Sequence, residues 1–140
     1  MNADLPASGA PYDRQSVAKA VDAVMPAFEL IEDRGAEYKD LFFLGVMADN
    51  AWNAGLVLGE PMIEWQDIDL VSAAGEMVIN GEPAGEGKGG DALGHPLDAL
   101  AWLANSLAER GKSLQRDMIV MTGSIVSTKF LNAGDEVSFE

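Results

Sequence analysis

A chain of 140 residues that is 48% hydrophobic has the material for one domain with a modest core, and it is not a disordered tail. With 23 acidic against 9 basic residues the formal charge is -14 and the cations are scattered singly, which excludes a stripe able to neutralise a nucleic-acid backbone and argues against an anionic membrane partner. The absence of cysteine removes disulfides, thiolate metal sites and cysteine nucleophiles together.

Residues 1–12 are polar and rich in Ala, Pro and Gly, which reads as a lead-in segment without the basic start or apolar run of a targeting signal. From Asp13 or Ser16 as a cap, Val17, Ala20, Val21 and Val24 recur at helical spacing until Pro26 ends the pattern. "AFELIED", 27–33, interleaves β-favouring Phe28, Leu30 and Ile31 with acids and predicts a strand that carries Glu29 among apolar neighbours. "DLFFLGVMADNAWN", 40–53, predicts a short buried helix, and "AGLVLG" after it a buried strand. Residues 68–88 carry a hairpin signal around Asn80-Gly81, with "EPAGEGKG" as the returning arm. Pro96 sits at a first-turn position, Leu97, Leu100, Ala101, Leu103, Ala104 and Leu107 make an apolar helix face, and Gly111 closes it. "MIVMTG", "IVSTKF" and "DEVSF" read as three further strands. Hairpins without a regular βαβ alternation predict an α+β fold on a curled sheet, mixed or largely antiparallel. No run approaches the roughly 20 apolar residues that span a bilayer, and a cytoplasmic location is expected.

"GEGKGG", 85–90, satisfies the G-x-G-x-x-G spacing, but it lies on the returning hairpin arm among Glu82, Glu86 and Asp91, where an anion would meet like charge. A glycine-rich approach to the following helix is the favoured reading over phosphate binding. His95, the one histidine, precedes Pro96 at a helix entrance and reads as a capping or packing residue ahead of a general base; alone it excludes a two-histidine zinc site. Trp52, Trp65, Trp102 and the methionines read as core filling.

Five segments, "MPAFELIEDR" (25–34), "ADNAWNAGLVLGEP" (48–61), "NGE" with "GEGKGGDALGHPLDALAWLANSLAERGKSL" (80–114), "IVMTGSIV" (119–126) and "AGDEVSF" (133–139), occur in an order that resembles the 2-keto-4-pentenoate hydratase and 2-oxo-3-hexenedioate decarboxylase branch of the fumarylacetoacetate hydrolase superfamily. The match runs from Tyr12 to nearly the end of the chain. It implies a fumarylacetoacetase C-terminal-like β-roll with packed helices over 13–140, incomplete here, and a metal-dependent hydratase acting on 2-oxo-4-enoic acids in the breakdown of aromatic compounds. The related decarboxylation is the alternative, and a non-catalytic half-domain serving as an interaction module is another. A small 2-oxo acid is the implied substrate and a homo-oligomer the implied assembly.

The resemblance further implies Mg²⁺ or Mn²⁺ held by three acidic side chains, of which only one position is present: Glu29, whose bland reading is a solvent-facing strand carboxylate. A Glu-x-Glu pair that supplies the other two, and the proton-transfer residues, have no counterpart upstream; N-terminal to the first helix pattern, Asp4 and Asp13 are the only acids. One ligand cannot make a magnesium site, since a hard cation takes about six oxygens. Gly123 and Ser124 match a turn that holds a substrate carboxylate; from the residues alone they read as a plain strand turn. Asp49 and Asn50 match a block near the site, and Asp49 either positions water or a ligand or else terminates the preceding helix.

Overall fold

The computed structural model describes residues 1–140, the side chain of Tyr38 excepted. It resolves into two units, 1–24 with 61–140, and 25–60. Where the chain leaves and re-enters the larger unit, Val24 and Met62 exchange backbone hydrogen bonds of 3.1 and 2.8 Å.

The larger unit is organised by helix α3 (Pro96–Ala108). Leu97, Leu100, Ala101 and Ala104 follow the three-and-four spacing of one helical face, and all are buried with Leu5, Val17, Ala20, Trp65 and Leu114. His95 caps the helix through Nδ1, which accepts the Leu97 N–H at 3.0 Å, and Pro96 fills the first position, where no N–H is needed. At the other end Gly111, at φ 65°, lets Lys112 N–H reach back to the Leu107 carbonyl at 2.9 Å. Helix α1 (Arg14–Ala18) packs on α3 under an Asp13–Ser16 capping box. Asn105 ties both backbone groups of Tyr12, at 2.7 and 2.8 Å, and Arg14 clasps Asp98 with two guanidinium nitrogens. Residues 1–12 share this core: Leu5 is buried and donates to the Leu114 carbonyl at 2.8 Å.

The unit's sheet is antiparallel in the order β4-β3-β5, from β3 (Ala74–Ile79), β4 (Glu82–Lys88) and β5 (Val137–Phe139). Asn80 and Gly81, with φ of 54° and 82°, make the predicted tight turn. Asn80 also sets the register of β5: its N–H donates to the Glu136 carbonyl while its Oδ1 accepts the Glu136 N–H. The smaller unit holds β1 (Ala27–Ile31), helix α2 (Phe43–Ala48) and β2 (Asn53–Leu58), with β1 and β2 antiparallel.

Several expectations are corrected. Helix α1 stops at Ala18 instead of running to Pro26, because Val24 is taken up by Met62 and the turn after Ala18 tightens to Ala20 N–H on Val17 O. The segments 118–123 and 125–130 are not strands: an extended apolar run becomes one only when a neighbour accepts its ladder, and neither is paired in a ladder among the described residues. Helix α2 is not buried, since Phe43 and Leu44 are 75% and 71% exposed, and β2 is half exposed. Of the tryptophans only Trp65 is core; Trp102 lies on the outer face of α3, 67% exposed, and Met47, Met62, Met118 and Met121 are exposed too.

Four carboxylates sit below their ordinary range: Asp13 through the Ser16 backbone N–H, Asp69 through the Ser72 hydroxyl, Asp98 through the Arg14 guanidinium, and Asp135 through the Asn132 backbone N–H. Each binds its proton more readily unfolded than folded, so its contribution is complete above the unfolded value near 3.8 and is lost as pH falls through the lower folded one. Above that range acidification only relieves the repulsion of a -14 chain. The urea midpoint is therefore expected to hold or rise from pH 7 to about 5 and to fall below about pH 4; a midpoint still rising at pH 3 would contradict this.

Candidate functional site

Glu29 lies mid-strand on β1, opposite Leu56, and its side chain is exposed. One carboxylate oxygen, Oε1, accepts a hydrogen bond from Asn53 Nδ2 at 2.8 Å. A carboxylate can only accept, so the amide necessarily turns its NH₂ toward it. The arrangement is an open carboxylate with one oxygen held by a neutral donor.

Asp49 lies in the same unit. Its backbone N–H closes α2 on the Gly45 carbonyl at 3.1 Å, so it terminates the helix, while its carboxylate pairs with Arg34 Nη1 at 2.8 Å. Arg34 Nη1 also donates to the Glu32 carbonyl at 3.4 Å. Asn50 begins a run of three residues at positive φ: 50° at Asn50, 51° at Ala51 and 62° at Trp52. A cavity of about 360 Å³ opens here, lined among others by Arg34, Asp49, Phe42, Val46 and Trp52. Arg34 and Asn53 went unread in the sequence. Both stand inside the segments that carry the family resemblance, but nothing in their spacing shows whom they bind.

In the larger unit, Gly123 adopts φ 122° and Ser124 Oγ donates to the Val126 carbonyl at 2.5 Å. This is a local turn whose hydroxyl proton is engaged within its own segment. His95 is the cap described above. Residues 85–88 of the glycine stretch lie on β4 and Gly89 and Gly90 in a 3₁₀ turn just past it; a Cβ at Gly87 would collide with the Ile125 carbonyl, so that glycine serves close backbone approach. Around it a cavity of about 590 Å³ is lined by Glu76, Glu86, Asp91 and Glu140 with Lys88 as its one cation, a poor setting for a phosphate.

Among the described residues no three His, Cys, Asp or Glu side chains come together in a way that could hold a metal ion. Glu29 offers the hard oxygen that a divalent cation takes, at one position; the rest of a magnesium set is not made by these residues. No described helix is long and apolar enough to cross a membrane.

4-Oxalocrotonate decarboxylase of Pseudomonas putida is 39% identical to this chain over 123 residues, covering 87% of the chain and 46% of that protein. 2-Hydroxyhexa-2,4-dienoate hydratase of Comamonas testosteroni is 35% identical over 122 residues, with coverages of 87% and 46%. The solved structure of 4-oxalocrotonate decarboxylase from Pseudomonas putida G7, complexed with magnesium and adipate, superposes with a TM-score of 0.89 at 34% identity, over 99% of this chain and 52% of that one. A second structure of that enzyme holds calcium and acetate. The chain thus spans about half the length of the relatives it matches. The α+β architecture is the one these neighbours share. With residues 6–140 matching the fumarylacetoacetate (FAA) hydrolase C-terminal family, the chain belongs to that family.

Proposed function

We propose that this chain is part of a metal-dependent hydratase acting on short 2-oxo-4-enoic acids in the breakdown of aromatic compounds. The observation that carries the reading is the open Glu29 carboxylate, steadied by Asn53, at the position where the family resemblance implies a cation ligand. A divalent cation, when bound, supplies an electrophile for the oxygens of a 2-oxo acid. In this reading Glu29 gives one anionic oxygen and the remaining ligands come from outside the described residues. Asp49 and Asn50, in the same unit as Glu29, are read as residues that support the site, and Gly123 and Ser124 as a turn for the substrate carboxylate. The curled β-roll over 13–140, with 1–12 as its lead-in, Mg²⁺ or Mn²⁺ as the cation, and the cytoplasm as the compartment belong to the same reading. Exposed Phe43 and Leu44 on α2 favour a homo-oligomer, and a monomer in sedimentation at micromolar concentration would count against it.

Decarboxylation is the second reading, favoured by the 39% identity to a decarboxylase. A non-catalytic interaction module has less behind it, since the relatives carry enzyme names over 87% of this chain. The test is a pair of chimeras in which residues 6–140 replace the matched part of the Pseudomonas putida decarboxylase and of the Comamonas testosteroni hydratase, so that an outcome common to both reports this chain and not the donor half. Mg²⁺-dependent addition of water to a 2-oxo-4-enoic acid by both is the expected result. Release of CO₂ by both instead would move the assignment to decarboxylation, and folded chimeras inert in both reactions would sink the enzyme reading.

A further inference from the structure

Glu29 and Asn53 meet because of an irregularity in the ladder. Residues 29 and 31 share one face of β1, and their cross-strand partners, Leu56 and Asn53, stand on that face beside them. Leu56 and Asn53 are an odd number of positions apart, and in an unbroken strand such residues point to opposite faces. The bulge, where the register shifts between Leu30 and Ile31, leaves Ala54 as the extra residue and re-aims Asn53 onto the face of Glu29.

The segment that delivers Asn53 is itself held. Asn50, Ala51 and Trp52 are left-handed, a conformation that Asn tolerates but that Ala and Trp adopt only where the surroundings impose it. Trp52 N–H donates to the Asp49 carbonyl at 2.8 Å, and the Trp52 carbonyl accepts the Glu32 N–H at 2.9 Å. The Arg34–Asp49 ion pair, at 2.8 Å, ties the segment that follows β1 to the start of this turn. Both β1 and the turn before β2 are thus fastened within a few residues of the Glu29–Asn53 contact.

We infer that Asn53 is a positioning residue for Glu29. It fixes one carboxylate oxygen by a hydrogen bond and leaves the other presented on the open face. A neutral amide suits this task, because it orients the group without cancelling the charge that a cation needs, as a lysine in its place would. The inference rests on the reading of Glu29 as a cation ligand.

The test uses the full chain and Mn²⁺ as a paramagnetic probe, read in amide and side-chain NMR spectra. In the wild-type chain, signal broadening is expected to centre on Glu29 and the Asn53 side-chain amide. Asn53→Ala is expected to weaken it about tenfold, the low end for groups that orient a metal ligand, with circular dichroism unchanged, and Asn53→Gln to recover most of it. Unchanged broadening at Glu29 in Asn53→Ala overturns the positioning role while leaving Glu29 as a ligand. Broadening centred instead on Glu76, Glu86 and Asp91 removes the ligand reading and the inference together. Should Asn53→Ala not fold, the wild-type Glu29 side-chain couplings decide: a single rotamer is expected, and rotameric averaging overturns the proposal.

Discussion

Glu29→Gln, placed in either chimera, is expected to lower turnover roughly a hundredfold or more, the scale seen when one preorganised electrostatic group is removed from a catalytic site. The substitution changes charge and almost nothing else. Glutamine keeps a carbonyl oxygen where Oε1 stands, so the Asn53 hydrogen bond has an acceptor still, and an exposed strand position tolerates an isosteric side chain. If the carboxylate only decorates the surface of β1, activity and its Mg²⁺ dependence will both be unmoved. Steady-state rates measured across a Mg²⁺ series separate the two outcomes, because a ligand role raises the metal concentration for half activity as well as lowering the rate.

Trp65→Ala is expected to cost about 3–5 kcal/mol of stability, a large share of the roughly 5–15 kcal/mol by which a domain of this kind is folded. Trp65 is 5% exposed and belongs to the cluster with Leu5, Val17, Leu97, Leu100 and Leu114, so its removal opens a cavity beside both helices and the N-terminal segment. Its Nε1–H is buried with no hydrogen-bond partner among the described residues, which sets a second expectation. Trp65→Phe deletes that donor and keeps an aromatic ring, and relief of a desolvation penalty of about 1–3 kcal/mol offsets the smaller packing. The phenylalanine variant is therefore expected within about 1 kcal/mol of wild type in urea titrations. Equal losses in the two variants would show that the indole nitrogen has a partner after all.

What was legible in the sequence was local. The Asn80-Gly81 turn, the His95-Pro96 entry and Gly111 exit of α3, and the β-favouring run of β1 each follow from a few adjacent residues with one strong conformational preference. What failed was non-local. Val24 continues the α1 pattern, yet Met62, far along the chain, takes its backbone groups. The runs 118–123 and 125–130 have strand composition but no ladder, and composition alone does not supply one. For α2 the apolar residues mark a face without saying what covers it, and Phe43 and Leu44 are left exposed. At the site, Glu29 was found through the family resemblance. Asn53 was not, because a bulge reverses the alternation by which its direction would be read.

Calorimetric titration of Mg²⁺ into the 140-residue chain bears most directly on the idea that Glu29 is one ligand of a set completed from elsewhere. With a single carboxylate and no acidic triad beside it, no saturable binding tighter than about millimolar is expected. A dissociation constant in the low micromolar range for the wild-type chain, lost in Glu29→Gln, would mean that these residues build a complete cation site by themselves and that Glu29 needs no ligands from outside them.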